Sequence, residues 1–216
     1  MPAETSPVSD HPPGHPSGHP DGLPWAEVSL TPLSAGDAAA FHLWQNDPRL
    51  RDLTMGYRWP IQEASVEEWI DGLRHKQDRA AYGIRAGGQL AGMVHLHGMD
   101  FPNRACELGI FVAGAEGFRG PDLCRMGGAL LIDYAFCGFN MRRITIETLA
   151  LNQPVRTIAE SLGFRLEGTR RAAHFADGAY WDVALYGMLA EEFTGAPPPE
   201  ANRLSRRMRK PGRDGD

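Results

Sequence analysis

Residues 105–164 decide the fold. They open with Ala105-Cys-Glu-Leu-Gly-Ile-Phe-Val112, pass Phe118-Arg-Gly120, and run to Leu130-Leu-Ile-Asp-Tyr-Ala-Phe136. Arg142-Arg-Ile-Thr-Ile-Glu147, Asn152 and Ser161-Leu-Gly-Phe164 follow. The order reads strand, turn, helix, strand, Asn, helix, Gly-Phe. A strand that feeds a helix through an Arg-Gly turn points backbone N–H groups and the positive end of the helix dipole at one place, which suits an anion. The helix is marked by Leu123, Met126, Leu130, Leu131 and Tyr134, which share one face. The next strand is marked by Ile144 and Ile146, which share one side.

Outward from this stretch the signals stay regular. Residues 27–31 alternate as a first strand, and residues 37–45 read as a helix with Phe41 and Trp44 on one face. Asn46-Asp-Pro48 ends that helix. Ser65 with Glu68 has capping-box spacing and predicts a helix through Trp69, Ile70 and Leu73. Residues 81–86 and 90–97 form a predicted hairpin around Gly87-Gly88, and residues 164–175 and 180–188 another around Asp177-Gly178. The sum is an α/β chain with a mixed sheet of about seven strands and helices on both faces.

The composition, 42% hydrophobic and 23% charged over 216 residues, is that of an ordinary globular domain. A net charge of -5 argues against a general nucleic-acid binder. No apolar run is long enough to span a bilayer, and no signal-peptide pattern opens the chain. Cys106, Cys124 and Cys137 are an odd set without metal-site spacing, so a reducing, cytoplasmic setting is expected. Residues 1–23, rich in Pro, Gly, His and Ser, are expected to be a disordered tail, with His11, His15 and His19 in a His-Pro repeat. From residue 195 a second disordered tail is expected, carrying Arg203, Arg206, Arg207, Arg209, Lys210 and Arg213. The domain between them spans residues 24–194.

Leu43-Trp-Gln-Asn-Asp47, Glu107 in Cys-Glu-Leu-Gly, Asp133-Tyr-Ala-Phe136, Asn152, Leu162-Gly-Phe164, Glu167-Gly168 and Tyr180-Trp-Asp182 occur in one order. That order resembles the GCN5-related N-acetyltransferase (GNAT) superfamily, and within it the branch of ribosomal-protein N-terminal acetyltransferases and their small-molecule-modifying relatives. The resemblance implies a sheet splayed after the Glu107 strand, with acyl-CoA in the gap. It implies transfer of an acyl group, acetyl above all, to the primary amine of a small molecule or a peptide N-terminus. The implied CoA contacts are Phe111, Val112, Arg119, Gly120, Leu123, Cys124, Arg125 and Asn152. The turn Arg119-Gly-Pro-Asp-Leu-Cys124 departs from the family's glycine-rich pattern, because Asp122 and Cys124 stand where glycines are expected.

Asp122 is placed to cap the helix, where its carboxylate would compete with a pyrophosphate for N–H donors. Two rivals follow from this altered turn. One is an enzyme using another acyl donor such as aminoacyl-tRNA, with the basic tail on RNA; the other is a GNAT-fold binding or regulatory protein without chemistry.

Acyl transfer to an amine needs a base for the ammonium proton and an acid for the leaving thiolate. Glu107 is the candidate base. Val155 and Ala159 occupy the positions where the family carries its acid, and neither donates a proton, so Tyr180, Tyr57 or an ordered water is the candidate acid, or the thiolate leaves unaided. Cys124 falls in a helix's first turn, where the dipole would lower a thiol's pKa, but a small buried filler is the favoured reading because free Cys is among the most buried types. The acceptor side draws on Trp44, Asn46, Tyr57, His95, His97 and Asp182, aromatic and carboxylate groups that suit an amphipathic amine. No metal is expected. The assembly is expected to be a monomer or homodimer.

Overall fold

The computed structural model describes residues 25–51, 55–56, 60–113, 120–195 and 197. Residues 1–24, Tyr57, Arg119 and residues 198–216 lie outside the described residues, and with them what was read of these positions. The elements in chain order are β1 (Val28–Pro32), α1 (Ala38–Asn46), α2 (Pro48–Arg51), α3 (Glu63–Gly72), β2 (Ala80–Ala86) and β3 (Gln89–Asp100). There follow β4 (Ala105–Val112), α4 (Gly120–Cys137), β5 (Arg143–Leu149), α5 (Gln153–Ser161), β6 (Arg165–Ala176) and β7 (Ala179–Leu189). The seven strands form one sheet in the order β1-β2-β3-β4-β5-β7-β6.

Both predicted two-residue hairpin turns are present. Gly87 and Gly88 have φ of 55° and 83°, and Asp177 and Gly178 have 51° and 79°. Two successive positive φ values match the twist of the flanking strands, which is why Gly and Asp stand there. The predicted capping box fails. The α3 helix starts at Glu63 with Gln62 as its cap, and Ser65 lies inside the first turn. The reason is tertiary. The Asn46 side-chain amide donates to Ile61 O at 2.9 Å and accepts from Ile61 N–H at 3.3 Å, fixing the chain just ahead of Gln62.

Helices cover both faces. On one face α4 and α5 close over the main core of Ile84, Val94, Leu96, Leu108, Leu130 and Ile144. There α4 lies very close to the sheet. A Cβ on Gly127 would meet Ile84 at 2.7 Å, and one on Gly128 would meet Ile110 at 2.9 Å. On the other face α1 and α3 bury Ala38, Phe41, Val66 and Ile70 as a second, smaller core, with Trp44 and Trp69 against it.

The fold makes its opening at β4 and β5, its parallel pair. They are paired only over Ala105–Glu107 and Arg143–Thr145. Beyond Glu107, β4 stays paired to β3 as far as Val112, while β5 stays paired to β7 as far as Leu149. The two strands therefore diverge into a fork with Glu107 at its base.

Candidate active site

A cavity of about 480 Å³ fills the fork. Pairing fixes which side chains meet there. Glu107 is opposite Thr145 on β5 and opposite His97 on β3, and His95 is opposite Gly109. Paired residues share a face, so Glu107, His95, His97 and Glu147 stand on one side of the sheet. Trp44, Gln45, Met55 and Phe111 extend that wall. Leu108, Ile110, Ile146 and Thr148 alternate to the other side, where Cys124 of α4 and Asn152, Val155, Ile158 and Ala159 of α5 line the same cavity. The cavity thus passes through the sheet, with a polar side on β3, β4 and β5 and a largely apolar helix side.

The Glu107 carboxylate lies 3.6 Å from His97 Nε2, with 29% of its side chain exposed. Burial first, and then the like charge of Glu147, push it up to about 7, against a downward pull from Arg170. A carboxylate that titrates near neutrality is suited to exchange a proton with an amine. The ring of His95 stacks on that of His97 at 5.2 Å. Burial, with smaller contributions from His97 and Arg79, lowers His95 to about 4, so it stays neutral. The His95 ring fits only because Gly109 has no side chain; a Cβ there would lie 2.3 Å from the ring.

The α5 helix is held by a network. The Asn152 side chain caps it, accepting from Val155 N–H at 3.3 Å. Arg156 donates to Ala150 O and to the Tyr186 hydroxyl, and that hydroxyl donates to Glu160 at 2.9 Å.

Of the residues singled out in the sequence, Glu107, Phe111, Cys124, Asn152, Trp44, His95 and His97 line the cavity. Others do not, and correct the reading. Tyr180 is 68% exposed at the far end of the β6–β7 hairpin, its ring 5.1 Å from that of Phe175, so it cannot serve as the acid. Asp182 accepts the Ala172 N–H at 2.8 Å and supports the hairpin instead. Asn46 acts one step removed, by pinning Ile61, which lines the cavity. Leu123 is wholly buried in the main core. Val112, Gly120 and Arg125 also lie off the cavity lining.

Asp122 is not the cap of α4. It lies within the first turn, and its carboxylate accepts from Arg125 at 3.3 Å. Burial pushes the Cys124 thiol up to about 12, in line with the buried-filler reading and against a low-pKa thiol. A thiol so held is not an acyl-accepting nucleophile at neutral pH.

Glu147, Gln45 and Met93 were missed, whereas Met55, read from the sequence as part of the acceptor side, does line the cavity. A signal for Glu147 was available: it alternates with Ile144 and Ile146, and so faces the same way as Thr145. Among the described residues no group of three or more His, Cys, Asp or Glu could hold a metal ion. Among them, too, no helix is long and apolar enough to cross a membrane.

The comparisons with known proteins place this fold in a family. The acetyltransferase (GNAT) domain model matches residues 27–165. YdaF of Bacillus subtilis (strain 168), a proposed ribosomal N-acetyltransferase, is 30% identical over 138 residues, covering 62% of this chain and 72% of YdaF. Spermidine N(1)-acetyltransferase of Escherichia coli (strain K12) is 26% identical over 155 residues, covering 71% of this chain and 81% of that protein. The crystal structure of spermidine N-acetyltransferase from Vibrio cholerae in complex with CoA and spermine shares the fold. Its TM-score is 0.70 at 22% identity, covering 77% of this chain and 97% of that one. The chain belongs to the GNAT family. It is an N-acyltransferase that takes its acyl group from acyl-CoA and passes it to an amine.

Proposed function

We propose that the fork is the transfer site, that its acceptor is the primary amine of a small molecule or of a peptide N-terminus, and that Glu107 takes the amine's proton. The observation that carries this is the placement of Glu107. It is the last β4 residue paired to β5, it faces the cavity, and its carboxylate is held near 7.

The residues fit an acyl-CoA. Beyond Glu107, among the described residues, the β5-facing edge of β4 has no strand beside it, so its backbone is open to an extended, amide-bearing arm. Phe111, Ile110, Cys124, Asn152, Val155 and Ala159 would flank that arm. The thioester supplies the activated acyl group: its carbon–sulfur bond is exchanged for a carbon–nitrogen bond to the acceptor, and the sulfur leaves as a thiolate that takes up the proton the nitrogen sheds as the amide forms.

The protein's own contribution is to bind, orient and deprotonate. An acceptor ammonium entering on the polar side meets Glu107, loses a proton to its carboxylate and gains a free electron pair on nitrogen. His95 and His97 are held below their ordinary values by burial, so they stay neutral beside that amine and do not repel it. Trp44, Phe111 and Met93 give the acceptor's carbon skeleton an apolar wall. The acetyltransferase domain match and the relatives named as N-acetyltransferases support a CoA-borne acyl donor. The CoA-dependent reading is therefore preferred to an aminoacyl-tRNA donor.

The test is incubation with acetyl-CoA and a panel of primary amines and N-terminal peptides, with thiol release and product mass both followed. One thiol released per amide formed, only when an amine is present, is expected. Thiol release that ignores the amine across the whole panel contradicts the reading.

A further inference from the structure

The cavity holds a second carboxylate that the reaction above does not use. Glu147 lies two residues beyond Thr145, the β5 partner of Glu107, so both carboxylates face the same way and both line the cavity. The cation that Glu147 meets comes from two strands away. Arg170 belongs to β6, and β7 lies between β6 and β5, yet the Arg170 guanidinium donates to the Glu147 carboxylate.

The fold arranges this reach. The β6 register against β7 breaks between Arg170 and His174. Ala172 there takes a φ of 47°, steadied by Asp182. Irregularities of this kind re-aim the neighbouring side chains. A second bridge of the same design crosses β7 with its charges reversed. Arg143 of β5 donates to Glu167 of β6, passing Gly187, where a Cβ would collide with the Glu167 carboxylate. That bridge lies off the cavity, whereas Glu147, the acceptor of the Arg170 bridge, lines it.

We propose that Arg170 is a positioning residue for the transfer reaction: it ties Glu147 down from across β7, so that Glu107 alone is left to take the acceptor's proton. This rests on Glu107 as the base. The charged and titratable groups around Glu107 are His95 and His97 on β3, Glu147 on β5 and Arg170 on β6, with Asp78 and Arg79, ahead of β2, acting on His97. Glu147 pushes Glu107 up and Arg170 pulls it down.

The two halves of the bridge can be told apart. Arg170→Gln and Glu147→Gln both break it, so a merely structural role moves both variants alike. They remove opposite charges beside Glu107, so a positioning role moves them apart. The readout is the acid limb of kcat/KM against pH, with acetyl-CoA and the best primary amine of the panel. Arg170→Gln is expected to move the limb to higher pH and Glu147→Gln to lower pH, each by roughly half a unit or more, which is about threefold in rate at a fixed pH on the limb. Arg170→Lys is expected to return the limb toward the wild-type position. A limb that vanishes in Glu107→Gln but stays in place, or moves the same way, in both other variants overturns the proposal and spares the base. A limb that persists unchanged in Glu107→Gln overturns the base, and the proposal with it.

Discussion

At the scale of the residue, Glu107 and His95 titrate in opposite directions for one reason, which is burial in the fork. Glu107 is raised from 4.5 to about 7. A raised folded-state value means that its contribution to stability is fully present below 4.5 and is lost as pH rises through about 7. His95 is lowered from 6.5 to about 4, so its contribution is present above 6.5 and is lost as pH falls through about 4. Glu107→Gln removes the first loss. Its Tm is expected to rise relative to wild type as pH climbs from 4.5 through 7, and then to run parallel. Thermal unfolding of both proteins across that range checks this. A Tm difference independent of pH would show that burial does not penalise the Glu107 charge.

At the scale of the element, α5 shows how a helix end serves both fold and site. Asn152 is 3% exposed, caps the helix through Val155 N–H and lines the cavity. Asn152→Ala leaves that N–H without its cap and is expected to cost about 1 kcal/mol of stability, measured by denaturant unfolding at constant m-value. An unchanged midpoint would mean that another group takes over the cap. The α5 start was legible because Asn-x-Pro after an alternating strand names its own cap and first turn. The α4 start was not. Asp122 looked like a cap because caps favour Asp, but the helix begins two residues earlier, at Gly120. At Cys124 both the first-turn place and the burial were readable, because free Cys is among the most buried residue types. Where a short local signal met a tertiary constraint, as at Ser65 and Asn46, the tertiary constraint won.

At the scale of the whole molecule, the succession of strands and helices along the chain and the two hairpin turns follow from period and turn chemistry, and those are local properties of sequence. The fork is different. Its base could be placed at Glu107, but its walls come from β3, β5, α1, α4 and α5, and Glu147 with Arg170 joins it across a third strand. Tyr180 and Asp182 failed as site residues because the β6–β7 hairpin is long, and its turn end carries them away from the fork.

The central claim is that acyl transfer to an amine runs through the Glu107 carboxylate at the base of the fork. The measurement that tests it most directly is kcat/KM against pH for wild type and Glu107→Gln, with acetyl-CoA and a primary amine that the enzyme acetylates. Wild type is expected to show an acid limb centred near 7, set by Glu107. Glu107→Gln is expected to lose that limb and roughly a hundredfold of kcat, the usual contribution of a general base. An unchanged limb and an unchanged kcat in Glu107→Gln, with chemistry rate-limiting, would contradict the account.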